Sequence, residues 1–155
     1  MMRYVNIFIF VLIQALIISR IQLFDGLIIP LLYIFPLLMF PFETPRWLLL
    51  LVGLSTGVLM DLFTGPPGLH TSACLTLAFF QPIVQKLLSP REGYDSLQSP
   101  TIHKMGISWY LTYAGFLTFL HHAWLIFFEF LRWDNFLYQL LHILLSTLAT
   151  LLLMI

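Results

Sequence analysis

Long apolar runs, separated by short polar links, organise this chain. The runs lack the period-two alternation of membrane strands, and backbone groups in lipid must be satisfied within a segment, so each run predicts a helix. We predict six membrane spans, at about 3–19, 27–40, 47–62, 69–88, 107–130 and 136–155. A straight helix needs about 20 apolar residues to cross the hydrocarbon core.

The second run is the exception among the six. It is short and contains Pro30 and Pro36, each of which removes a helical hydrogen bond, so we expect this segment to be kinked or broken. Whether it crosses fully stays open at this point. If it were re-entrant, the chain would have five spans and the later ones would be inverted.

Composition agrees with a polytopic, all-α membrane protein. The chain of 155 residues is 60% hydrophobic and 9% charged, whereas soluble domains average about 45–50% apolar and about 25% charged. The spans use nearly all of the chain, which predicts a single transmembrane domain, 1–155. The net charge is zero and the basic residues are scattered, so no nucleic-acid partner is expected. A single cysteine, Cys74, excludes an internal disulfide.

Basic residues predict the orientation. With six spans, one side of the membrane receives five of them and the other side two, which favours a cytoplasmic N-terminus by the positive-inside rule. The five are Arg3, Arg46, Lys86, Arg91 and Lys104, and the two are Arg20 and Arg132.

The segment 53–70, GLSTGVLMDLFTGPPGLH, is the most unusual part of the chain. Gly53, Gly57 and Asp61 are spaced by four residues and form one stripe on a helix, where small residues let another backbone approach closely. The residues Gly65, Pro66, Pro67 and Gly68 then force a turn with little conformational freedom. We expect a close helix contact and a rigid outer loop.

Asp61 and His70 allow several interpretations. Asp61 could order the outer loop, face a polar cavity, or end its helix in water. A pair with His70 across the turn would suggest proton transfer or catalysis. No nucleophile or metal partner accompanies the two residues, so a structural hydrogen bond, or no contact at all, is favoured.

Other polar residues lie within predicted spans. His121, His122, Glu129 and His142 could form a metal site, but their spacing matches no metal motif. Hydrogen bonds between helices, or a place for Glu129 at the outer interface beside Arg132, are favoured instead. We expect Gln14, Gln81 and Gln85 to bond between helices too. No catalytic or nucleotide-binding signature occurs, so neither an enzyme nor a cofactor is expected.

The string GVLMDLFTGPPGLHTSA resembles the signature region of the MreD family, the membrane subunit of the bacterial rod-shape-determining system. The resemblance rests on Gly57, Asp61, Gly65, Pro67, Gly68, Leu69 and His70. Outside 53–73 it rests on length and hydropathy alone.

The resemblance implies a multi-pass scaffold in the bacterial inner membrane. It implies binding to MreC and, through MreC, a link to MreB and to a RodA-type glycosyltransferase with its class B penicillin-binding transpeptidase. It also implies a fold similar to the substrate-binding subunits of energy-coupling-factor transporters. A vitamin-type transport subunit is therefore the alternative function, and an intramembrane enzyme or metal protein is a third.

Overall fold

The computed structural model describes residues 2–20, 24, 26–95, 98–130 and 135–155. This part of the chain is helical and contains no strand. Its α-helices are α1 (Met2–Leu16), α2 (Phe35–Leu38), α3 (Arg46–Thr64), α4 (Leu69–Leu87), α5 (Ile102–Met105), α6 (Ile107–Phe130) and α7 (Phe136–Met154). Two 3₁₀ turns, Ile18–Arg20 and Leu32–Ile34, complete the described helical structure.

Antiparallel packing of consecutive long helices builds the bundle. Helix α3 packs on α4, α4 on α6 and α6 on α7, while α1 lies along α3. The bundle has two ends, which we call the corner end, where 65–68 joins α3 to α4, and the loop end, where 88–106 joins α4 to α6.

The run 27–40 is not a helical span. Within it the structure has only the 3₁₀ turn Leu32–Ile34 and the four-residue α2, because Pro30 and Pro36 interrupt the helical hydrogen bonds. The expectation of a broken segment agrees with this geometry. The segment lies in the core, and Tyr33, Ile34 and Leu37 are fully buried.

This broken segment runs through the interior of the bundle to the loop end. At its start, the backbone N–H of Ile29 donates to Ser146 Oγ of α7 at 3.0 Å. At its far end, Phe42 stacks on Tyr94 with ring centroids 3.8 Å apart and meets Trp109 at the start of α6. We call residues 29–42 the core segment.

Side chains from four helices bind the backbone of the core segment. Gln14 of α1 holds it twice: its Nε2 donates to Pro30 O at 3.0 Å, and its Oε1 accepts the Leu32 N–H at 2.7 Å. Thr150 Oγ1 of α7 accepts the Leu31 N–H at 3.0 Å. These bonds stand in for the helical bonds that the broken segment cannot make.

Two further bonds hold the second half of the core segment. Gln81 Nε2 of α4 donates to Leu37 O at 3.2 Å, and Tyr113 OH of α6 donates to Leu38 O at 3.0 Å. Gln85 Nε2 in turn donates to Tyr113 OH at 3.3 Å. Gln14 and Gln81 therefore bond to an interior backbone segment, whereas the sequence suggested bonds from helix to helix.

The distribution of polarity is that of a helical membrane protein. Among the residues that the structure describes, three helices are long and apolar enough to cross a membrane, namely α3, α6 and α7. Large apolar side chains face outward along them, including Leu62 (75% exposed) and Leu137 (80%), while Gln14, Thr150 and His122 are fully buried. Apolar outer surfaces around a polar interior are expected where lipid, not water, surrounds the bundle.

Candidate functional site

The glycine stripe brings two helix backbones into contact. A Cβ atom built on Gly57 would overlap Thr71 Cα and would lie 2.8 Å from His70 O. One built on Gly53 would lie 3.0 Å from Cys74 O and from Ala78 Cβ. Both glycines therefore face α4, and Gly57 leaves no space for any side chain.

Asp61, one turn further along the same face, binds the start of α4. Its Oδ2 accepts the Gly68 N–H at 2.8 Å and the Thr71 N–H at 3.1 Å, and its Oδ1 accepts the His70 N–H at 2.8 Å. The Thr71 hydroxyl donates to Oδ2 as well. The first N–H groups of a helix have no partner within the helix and carry positive partial charge. The Asp61 carboxylate, which belongs to α3, therefore caps the N-terminus of α4.

This geometry decides among the interpretations of Asp61. The side chain is only 9% exposed, so it does not end its helix in water. It orders the turn 65–68 and the start of α4 instead, because its four hydrogen bonds are to Gly68, His70 and Thr71.

The turn itself is exposed along all four residues. Gly68 has φ +103°, in the left-handed region that favours glycine. Gly65 is extended at φ 173°, and no atom lies within 4 Å of the position of its missing Cβ. Of the two turn glycines, Gly68 is thus the one whose backbone requires glycine. Pro66 and Pro67 lie between them with their surfaces open.

The His70 imidazole does not pair with Asp61. Its Nδ1 lies 2.8 Å from Tyr33 OH, and only the His70 backbone N–H reaches the carboxylate. Tyr33 OH also lies 2.9 Å from His121 Nε2. The two side chains are therefore not in contact: Asp61 binds the His70 backbone, and the imidazole joins a different cluster.

This buried cluster consists of Tyr33, His70, His121 and Cys74. Cys74 Sγ lies 3.8 Å from Tyr33 OH and 4.0 Å from His121 Nε2, and Cys74 is fully buried. The cluster ties the core segment to α4 and α6 at one point. Sequence reasoning did not single out Tyr33; the available signal was one phenol in an apolar run between two prolines.

A cavity of about 300 Å³ opens at the corner end, beside this cluster. His70, His122, His142 and Glu129 line it together with mostly apolar side chains. His121, which the sequence grouped with them, lies instead in the buried cluster. The expected neighbour of Glu129, Arg132, lies outside the described residues.

The described residues contain no arrangement of side chains that would support a metal centre. Within these ranges, no group of three or more His, Cys, Asp or Glu side chains is placed to hold an ion. His122 instead has Nδ1 2.8 Å from Thr118 O and Nε2 3.2 Å from Thr150 Oγ1. Its ring is thus positioned by α6 and α7.

Comparison with known proteins leaves the family undetermined. No protein-family model matches the chain, and neither a curated protein nor a solved structure matches it.

We predict that Gly57→Ala destabilises the bundle by about 3 kcal/mol. The added methyl group would overlap backbone atoms of α4, which cannot rotate away, so the two helices must separate. Thermal or denaturant unfolding in detergent, followed by circular dichroism, measures the change.

Gly115→Ala is the matched control. The nearest atom to its Cβ position is Leu151 Cδ1 at 3.7 Å, an ordinary contact. The free energy of unfolding of this variant should stay unchanged or rise by up to about 1 kcal/mol, because alanine is the better helix former. Equal stability of the two variants would refute the close contact at Gly57.

We predict that Asp61→Ala lowers the free energy of unfolding by about 2–3 kcal/mol. It leaves three N–H groups at the start of α4 without their partner. Asp95→Ala, an exposed loop change, should stay within about 0.5 kcal/mol. A loss for Asp61→Ala no larger than that control would show that the carboxylate does not hold the corner.

Proposed function

We propose that this chain is a non-enzymatic, multi-pass scaffold of the MreD type in the bacterial inner membrane. One observation carries the proposal: the stretch that resembles the MreD signature is the stretch that forms the rigid corner. Gly57 sets the contact of α3 with α4, and Asp61 caps α4. The residues that carry the resemblance thus have structural roles, in the contact between α3 and α4 and in the cap of α4.

The use of the polar groups supports a scaffold over an enzyme. Asp61 is occupied by the backbone of the corner, and the Tyr33 hydroxyl by two imidazoles. Catalytic groups need a partner within reach of substrate. In the described residues, Asp61 and Tyr33 instead form hydrogen bonds that join one part of the bundle to another.

The proposed topology has six passes, with the core segment as the second. The order of contacts supports it: α1 runs beside α3, the core segment returns to the loop end, and α3, α4, α6 and α7 alternate in direction. Non-helical backbone is tolerated at membrane depth only where protein buries it, which fits a core segment bound on several sides. The positive-inside rule then gives a cytoplasmic N-terminus and an outer corner.

The loop end is our candidate surface for cytoplasmic partners. Hydrogen bonds anchor the described residues of the loop 88–106: Tyr94 OH donates to Gln85 O at 2.7 Å, and the Phe42 N–H donates to Gln98 O at 3.2 Å. Trp109 Nε1 donates to Leu88 O at 2.9 Å. An anchored loop offers a partner a surface with little ordering cost.

The proposed partner is MreC, and through it the MreB filament and the RodA-type synthase with its transpeptidase. The test replaces the native protein of a rod-shaped host with tagged variants of this chain. We expect Gly57→Ala and Asp61→Ala to lose most co-purified MreC per copy of chain in the membrane, and the cells to become round. Gly115→Ala should retain both.

Normalisation to the chain in the membrane separates failed assembly from failed expression. Normal co-purification and rod shape in both corner variants would contradict the role of the corner. Absence of MreC from the wild-type chain would contradict the scaffold itself.

A second candidate, a substrate-binding subunit of a vitamin-type transporter, is favoured by the cavity at the corner end. Thermal unfolding of the purified chain with a panel of vitamins tests it, because a ligand that binds the folded state raises the unfolding temperature by mass action. No shift at saturating concentration would remove this candidate.

A further inference from the structure

The cavity at the corner end has the size and lining of a small-ligand site. Its volume of about 300 Å³ lies at the lower end of the range for such pockets. The buried side chains Leu31, Met60 and Ile126 form apolar wall, each at most 4% exposed. A ligand entering here would therefore bury an apolar part against them.

The chemistry where the cavity meets the surface differs from its interior. Glu129, Phe63 and Thr64 line the cavity and are exposed. Glu129 is the one carboxylate among the described lining residues, and these include no lysine or arginine. Phe63 adds an aromatic ring, whose face attracts cations.

The Thr64 hydroxyl adds to the preference of the cavity mouth for a cation. The proton of Thr64 Oγ1 is used in a bond to Met60 O at 2.8 Å, so the oxygen offers lone pairs but no donor. At the mouth, a carboxylate, an aromatic ring and an accepting hydroxyl suit a ligand head that brings both positive charge and N–H donors. His70, His122 and His142 also line the cavity, so the preference for a cation rests on the carboxylate of Glu129 at the mouth.

We propose that this cavity binds a small organic ammonium ion. The charged head lies at the mouth with Glu129, and the apolar part enters between Leu31, Met60 and Ile126. This inference concerns the cavity alone and does not depend on the scaffold role, because co-purification of MreC is measured independently of it.

The test uses three probes with the same aromatic body and different heads: 2-phenylethylammonium, 2-phenylethanol and phenylacetate. Each is titrated against the full chain in lipid nanodiscs by calorimetry, with empty nanodiscs subtracted to remove partition into lipid. We expect the ammonium ion to bind about fivefold more tightly than the alcohol, the size of an ion pair at a partly exposed site. Phenylacetate should bind most weakly.

Variants locate the site. Glu129→Gln should reduce the affinity for the ammonium ion to that of the alcohol, while Glu92→Gln, an exposed glutamate in the loop 88–106, should change nothing. Ile126→Trp should fill the cavity and abolish binding of all three probes, with circular dichroism verifying its fold. If that variant fails to fold, the glutamate pair still decides.

Three outcomes would overturn the proposal. They are equal binding of the three probes, an ammonium preference that survives Glu129→Gln, and absence of saturable binding above empty nanodiscs.

Discussion

The structure depends on one constraint: the backbone of the core segment runs through the interior without the hydrogen bonds of a continuous helix. A buried N–H or C=O left without a partner costs about 1–3 kcal/mol, and lipid offers no substitute. Gln14, Gln81, Tyr113 and Thr150 supply the missing partners. The bundle is therefore polar inside because its core segment is not a continuous helix.

The corner follows the same rule where α3 joins α4. Helix α4 begins at Leu69, directly after a turn, and its first N–H groups need acceptors that the helix itself cannot supply. Asp61 can reach them because Gly53 and Gly57 bring α3 against α4. The glycine stripe and Asp61 therefore act together, because the carboxylate reaches the N–H groups of α4 only where the two helices approach closely. This coupling supports our proposal that the corner serves assembly rather than chemistry.

Sequence reasoning reached the helical class, the broken second run and the shared face of Gly53, Gly57 and Asp61, because periodicity and proline act locally. It did not reach Tyr33 or the partners of Gln14 and Gln81, since these depend on which segments meet in three dimensions. The polar residues of the last two spans show the same limit. His121 lies in the buried cluster, whereas the cavity is lined by His122, Glu129 and His142. Six spans, the orientation and the partner stay predictions.

Amide hydrogen exchange in nanodiscs, read by NMR, tests the central claim that side chains hold the core segment. The account predicts strong protection of the Leu31 and Leu32 amides in the wild-type chain, although neither belongs to a regular α-helix. Gln14→Leu should speed exchange at Leu32 at least about tenfold, for a loss of about 1.4 kcal/mol, and should leave the His70 amide on Asp61 protected. Unprotected Leu31 and Leu32 amides in the wild type, or a Leu32 rate unchanged by Gln14→Leu, would contradict it.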